Sequence, residues 1–74
     1  MDKFIMFEAD DVVVNLSEVS HAYVEEYYDC ETGMVDEDTW VLEITMKNGK
    51  SIELLYDTKN EANKDLKRLF NKLS

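Results

Sequence analysis

The chain reads as an α+β two-layer domain, about five antiparallel strands with one C-terminal helix packed on one face of the sheet. Three observations carry that reading. Thr39 to Met46 alternates with a period of two, placing Trp40, Leu42, Ile44 and Met46 on one face and Thr39, Glu43 and Thr45 on the other, the pattern of a half-buried strand. Asn48-Gly49 marks a tight turn into a second strand, Ser51 to Tyr56. Ala62, Leu66, Leu69, Phe70 and Leu73 fall on one stripe of the closing segment, as an amphipathic helix requires. With no second amphipathic helix in the chain, this stripe must cover the sheet.

Taken in order, Lys3 to Phe7 is rich in Phe and Ile and reads as a strand. Glu8-Ala9-Asp10-Asp11 is a polar turn. Val12-Val13-Val14 is a second strand whose continuous β-branched run implies burial on both faces. Asn15 to Val19 reads as a helical turn entering the next strand, because Asn and Ser form local caps. Ser20 to Tyr28 alternates poorly: Ala22 and Val24 point one way, Val19, Tyr23 and Tyr27 the other. A bulge or a wet second face accounts for that. Asp29 to Asp38 reads as an acidic loop around Gly33.

The hairpin after Met46 has two registers. A two-residue type I′ turn at Asn48-Gly49 would set Ile44 opposite Glu53 and split the apolar faces. A three-residue loop, Lys47-Asn48-Gly49, with Gly49 left-handed at a bulge, sets Ile44 against Ile52, Leu42 against Leu54 and Trp40 against Tyr56. A one-residue slip flips every side chain, so the hydrophobic match selects the bulged loop. Thr58-Lys59-Asn60-Glu61 then has capping-box spacing, and Lys67, Arg68 and Lys72 complement the helix dipole at its C-terminal end. Trp40 and Phe70 are expected to be the firmest aromatic members of the core.

The 74 residues, read as one domain over 1–74, carry 17 acidic and 8 basic side chains for a net charge of −9. That balance argues against direct nucleic-acid binding, which needs Lys and Arg to neutralise phosphates. An apolar share of 45% argues against disorder. Cys30 is the single cysteine and His21 the single histidine, so neither an internal disulfide nor a zinc site is expected. A lone thiol fits a reducing compartment. No apolar run approaches the ~20 residues of a membrane helix, and Met1-Asp2-Lys3 leads into too short an apolar run for a signal peptide. The expected location is cytoplasmic. A core this small is marginal, so a homodimer is compatible with the chain.

The candidate site is a partner-binding surface: Glu25, Glu26, Tyr27, Tyr28, Asp29, Glu31, Asp36, Glu37 and Asp38. Seven carboxylates within fourteen residues are either a solvated hairpin end or a surface complementary to a basic partner. Tyr27 and Tyr28 face opposite sides of a strand, so one of them is exposed or at an interface. No catalytic residue, cofactor or metal is assigned. Asp29-Cys30-Glu31-Thr32-Gly33 begins like a calcium loop, but its glycine is one place early and Trp40 stands where a ligating glutamate belongs. Cys30 and His21 are not a nucleophile and base, because nearby carboxylates raise a thiol's pKa. Lys64, Lys67, Arg68 and Lys72 form a basic stripe, read as a solvated helix face or as phosphate ligands in a nucleotide site.

Val12 to Asn15, Leu16 to Val19, Asn48-Gly49-Lys50, Ser51 to Tyr56 and the helix opened by Thr58-Lys59-Asn60-Glu61 give a layout that resembles small acidic proteins encoded by phages and prophages, of the anti-defence or anti-CRISPR type. The layout spans nearly the whole chain, and its outline is also similar to pleckstrin-homology-like small domains. The resemblance implies a protein without catalysis that acts by occupying something. Some such proteins imitate nucleic acid and others sequester signalling nucleotides. No residue role carries over, because the motifs are generic. The expectation is an acidic inhibitor occupying the basic, nucleic-acid-binding surface of a bacterial protein such as a defence effector. Two alternatives stand beside it: an oligomeric nucleotide sponge, and an accessory subunit that completes its fold in an oligomer.

Overall fold

A computed structural model describes residues 3–73; the targeting reading of Met1 and Asp2 lies outside them. The elements are β1 (Phe4–Phe7), β2 (Val12–Asn15), a 3-10 turn (Leu16–Glu18), β3 (Val19–Asp29), β4 (Met34–Met46), β5 (Ser51–Tyr56) and α1 (Lys59–Leu73). The α+β class and the antiparallel pairing stand, but the strands form two sheets, β1-β2 and β3-β4-β5, instead of one. The 3-10 turn is the physical reason. The Asn15 side chain caps it by accepting the Ser17 N–H at 3.1 Å, the Leu16 N–H donates to the Lys3 carbonyl at 2.8 Å, and the Lys47 N–H to the Glu18 carbonyl at 2.7 Å. The chain is thereby turned from the hairpin into the larger sheet before β2 can pair with β3.

One core joins the two sheets and the helix. Ile5, Phe7 and Val14 on the hairpin, Leu42, Ile44 and Leu54 on the sheet, and Ala62 and Leu69 on α1 are buried together, with Val24, Trp40, Ile52 and Leu66 packed around them. The hairpin and α1 therefore cover the same face of β3-β4-β5. Arg68 ties them: its guanidinium donates to the Met6 carbonyl at 3.1 Å and to Asp65 at 3.0 Å, and lies 5.7 Å from the centre of the Phe7 ring. The Tyr56 hydroxyl donates to the other Asp65 oxygen at 2.6 Å; burial, then that hydrogen bond, raises its pKa above the ordinary phenol value.

The β4-β5 register pairs Trp40 with Tyr56, Leu42 with Leu54 and Ile44 with Ile52, as the hydrophobic match demands. Gly49 has φ +89, and the Asn48 side chain accepts the Lys50 N–H at 2.9 Å, so the three-residue loop stands. Thr58 caps α1 by accepting the Glu61 N–H at 3.2 Å. Of the two accounts of the third strand's poor alternation, a bulge or a wet second face, a bulge is present at Ser20, between the Val19–Met46 and His21–Thr45 pairs. It turns Val19 into the core while Tyr23 and Tyr27 stay on the opposite face from Ala22 and Val24.

Three further expectations are corrected. Val13 is 61% exposed, not buried on both faces, because the sheet lies under one side of the hairpin and no described element lies over the other. Phe70 is 68% exposed. It sits about 100° around the helix from Leu69, outside the arc of Ala62, Leu66 and Leu69 that packs on the core. Trp40 is half-buried at the margin of the core, with the Lys59 ammonium 5.3 Å from its ring centre. The segment Asp29 to Asp38 is not a loop. β3 runs to Asp29 and β4 begins at Met34, leaving a four-residue turn.

Candidate partner-binding surface

That short turn is built by Asp29 and Gly33. The Asp29 carbonyl accepts the Gly33 N–H at 2.8 Å, its carboxylate accepts the Glu31 N–H at 2.9 Å, and Gly33 takes φ +70. Beyond the body of the sheet, β3 and β4 continue as a two-stranded arm pairing Tyr27 with Asp36, Tyr28 with Val35 and Asp29 with Met34. The arm accounts for a molecule 43 Å long but 19 Å in its shortest dimension. At its base, Glu37, Asp38 and Thr39 are extra residues on β4, since Glu26 still pairs with Trp40. Asp36 organises this bulge: one carboxylate oxygen accepts the Asp38 N–H at 2.9 Å and the other the Thr39 hydroxyl at 3.1 Å.

The nine candidate residues therefore divide. Asp29 and Asp36 use their carboxylates to shape the turn and the bulge. Glu25 and Tyr27 lie on the outer face of the sheet, away from α1. Glu26 and Tyr28 lie on the helix side, by strand alternation. Glu31 is in the turn, and Glu37 and Asp38 are in the bulge, all exposed. Tyr27 is half-buried and Tyr28 exposed, as expected for consecutive rings on opposite sides. Met34 and Val35 are exposed apolar residues of the same arm.

The outer face holds residues absent from the sequence-based set. Register places Tyr23, Glu43 and Glu53 in one row across β3, β4 and β5, and Glu25, Val41 and Leu55 in the next. Val41 is only 4% exposed although it lies on the uncovered side, so its neighbours on that face shield it. On this face Val41 and Glu43 lie on the central strand β4, Tyr23, Glu25 and Tyr27 along β3, and Glu53 and Leu55 along β5, so apolar, aromatic and acidic side chains interleave. The Tyr23 hydroxyl donates to Glu43 at 2.5 Å. That bond, desolvation and the charges of Glu25, Glu43 and Glu53 raise its pKa to about 12. Glu43 opposite Glu53 is a like-charged cross-strand pair, which is unfavourable in an isolated sheet. The signal for it was present in the sequence, since the register that matches Leu42 to Leu54 also sets these two glutamates face to face.

Among the described residues no ion pair answers these charges. Residues 4–46 contain no Lys or Arg, and among the described residues Arg68–Asp65 is the one ion pair. Cys30 is exposed in the turn and His21 is at the other end of β3, roughly 30 Å away along an extended strand; they form no nucleophile–base pair. Among the described residues no three His, Cys, Asp or Glu side chains converge as metal ligands do. Lys64 and Arg68 line an open groove of about 680 Å³ beside Tyr56, but Glu8, Asp57, Glu61 and Asp65 line it too, so carboxylates outnumber cations there. No described helix is long and apolar enough to cross a membrane. Comparison with family models, with curated proteins and with solved structures found no match.

Proposed function

We propose that this chain is a non-enzymatic binding protein that docks its outer sheet face and acidic arm on a basic surface of a bacterial protein, in the cytoplasm. The observation that supports this most directly is the uncovered face itself: Tyr23, Tyr27, Val41 and Leu55 interleaved with Glu25, Glu43 and Glu53, none of these carboxylates in an ion pair among the described residues. Tyrosine and apolar side chains are the residues that anchor protein interfaces, with polar groups around them giving specificity. A surface that offers Lys and Arg beside apolar anchors would bury Val41 and Leu55 and relieve the repulsion between Glu43 and Glu53. Grooves that bind nucleic acid carry such cations, so the partner class is a nucleic-acid-binding protein, and occupation of its groove is inhibition by competition. The resemblance to phage-encoded anti-defence proteins points the same way. The nucleotide-sponge alternative draws less support, because the Lys64 and Arg68 groove is dominated by carboxylates.

The test is capture of bacterial proteins on the immobilised chain at low and at high salt, with and without competing duplex DNA, beside a Glu25→Gln, Glu43→Gln, Glu53→Gln variant. Each exposed pair contributes about 0.2–1 kcal/mol, so the triple variant should bind roughly 3- to 150-fold more weakly. Captured proteins should be nucleic-acid binders that high salt or DNA displaces. Equal capture by the variant, or capture indifferent to salt, overturns the reading. A co-purified nucleotide in native mass spectrometry would favour the sponge.

A further inference from the structure

β3 is an edge strand: β4 pairs with one side of it, and no described element pairs with the other. Its register fixes which backbone groups are left over. The Met46 N–H donates to the Lys50 carbonyl at 2.8 Å, so Met46 turns its backbone groups toward β5. These groups alternate sides along a strand, so Leu42 and Ile44 also face β5, while Val41, Glu43 and Thr45 face β3. Their partners Glu25, Tyr23 and His21 therefore direct N–H and C=O at β4. Ala22, Val24, Glu26 and Tyr28 direct theirs away from it. Asp29 keeps the same phase, since its carbonyl accepts the Gly33 N–H across the turn. No described residue bonds to the outward groups. They form a row of four donors and four acceptors about 20 Å long.

Such a row is a template for another strand. Lys and Pro commonly blunt an edge, but Val19 to Asp29 contains no Lys, Arg or Pro. What it carries is acid, Glu25 on the outer face and Glu26 on the helix side, neither in an ion pair among the described residues. Ala22 and Val24 face the core yet stay half-buried, because the sheet ends at this strand. We propose that the β3 edge takes up an extended basic segment of the partner protein as a further antiparallel strand. This rests on the reading of the chain as a binder of basic proteins and adds how the partner is held. Backbone bonds give affinity and alternate side chains give specificity. Apolar residues opposite Ala22 and Val24 extend the core layer, and Lys or Arg opposite Glu25 and Glu26 supply the missing cations. A second copy of β3 fits poorly, since it brings more carboxylates and no cation.

The test uses the full chain and the peptide acetyl-Val-Lys-Lys-Lys-Val-Lys-Val-amide. Paired antiparallel with Ala22 to Tyr28, it sets Lys opposite Glu25 and Glu26 and Val opposite Ala22 and Val24. Binding should slow amide exchange at Ala22, Val24, Glu26 and Tyr28, and change it little at His21, Tyr23 and Glu25. N-methylation of the peptide's first, third, fifth and seventh residues, whose N–H groups face β3, should weaken binding about 30-fold or more. N-methylation of the second, fourth and sixth should leave it nearly unchanged. Glu26→Pro removes an outward N–H and spares the β4 ladder. It should bind about 2- to 13-fold more weakly than Glu26→Gln, which removes the charge alone; if it fails to fold, the two methylated peptides still decide. No binding of the peptide, binding indifferent to which residues are methylated, no slowing at the four amides, or self-association through β3 would overturn the strand addition. Undiminished capture of bacterial proteins by folded Glu26→Pro would overturn it and leave docking on the outer face standing. Failure of the docking reading shows instead as equal capture by the variant lacking Glu25, Glu43 and Glu53.

Discussion

Tyr23 donates to Glu43 with Glu25 and Glu53 as neighbours, and its phenol is raised from 10.0 to about 12. A raised folded value means that the protonated hydroxyl is the form the fold favours. The associated stabilisation is complete below the unfolded value and is lost as pH climbs through 10 toward about 12. Ultraviolet titration of the native protein should show late phenol absorbance from both Tyr23 and Tyr56, which Tyr23→Phe reduces and Glu43→Gln shifts in part back toward the ordinary range. Unchanged titration curves in both variants would refute the assignment. Sequence periodicity placed Tyr23 on the face opposite Ala22 and Val24, but its hydrogen bond depends on the exact pairing with Glu43. Phe70 and Val41 mark the limit of such reasoning. Helical spacing put Phe70 in the core, yet it lies outside the Ala62, Leu66 and Leu69 arc that packs there, and Val41 is buried on a face that no described element covers.

The arm formed by the ends of β3 and β4 has no covering helix and exposes Tyr28, Met34 and Val35. A two-stranded ribbon without a packed face is marginal in water. Amide exchange should therefore be fast from Tyr27 to Val35 and slow at Leu42, Ile44 and Leu54; equal protection in both regions would contradict this arrangement. A bound basic partner should slow exchange in the arm. This element was illegible in the sequence for a physical reason. Asp, Glu and Gly are poor strand formers, so the segment from Asp29 to Asp38 reads as loop. Its pairing comes from the Asp29–Gly33 turn and from the Asp36 carboxylate holding the bulge. The β4-β5 hairpin was legible because only one register keeps Leu42, Leu54, Ile44 and Ile52 on the same side.

Fifteen acids and three bases in residues 1–57 give the molecule a field that its own cations do not answer. Self-repulsion of this kind destabilises the compact state, and added salt screens it. Calorimetry should show the melting temperature rising with sodium chloride at constant pH. A gain of about 1 kcal/mol corresponds to roughly 4–8 °C in a domain of this size. A fall on adding salt would mean that attractive pairs dominate, contrary to the scarcity of ion pairs among the described residues. The same field would attract a cationic partner.

Local chemistry was enough to specify the antiparallel pairing of β4 with β5, the capped 3-10 turn, the capped helix and its Ala62–Leu69 seam. Each depends on side-chain periodicity or on hydrogen bonds within a few residues. The division into two sheets, the extra residues at Glu37 to Thr39, the exposure of Val13 and Phe70, and the meeting of Tyr23, Glu43 and Glu53 depend on how layers stack over distance. Hydrophobic patterning says which side of an element seeks cover, but the width and placement of the opposing layer decide which side receives it.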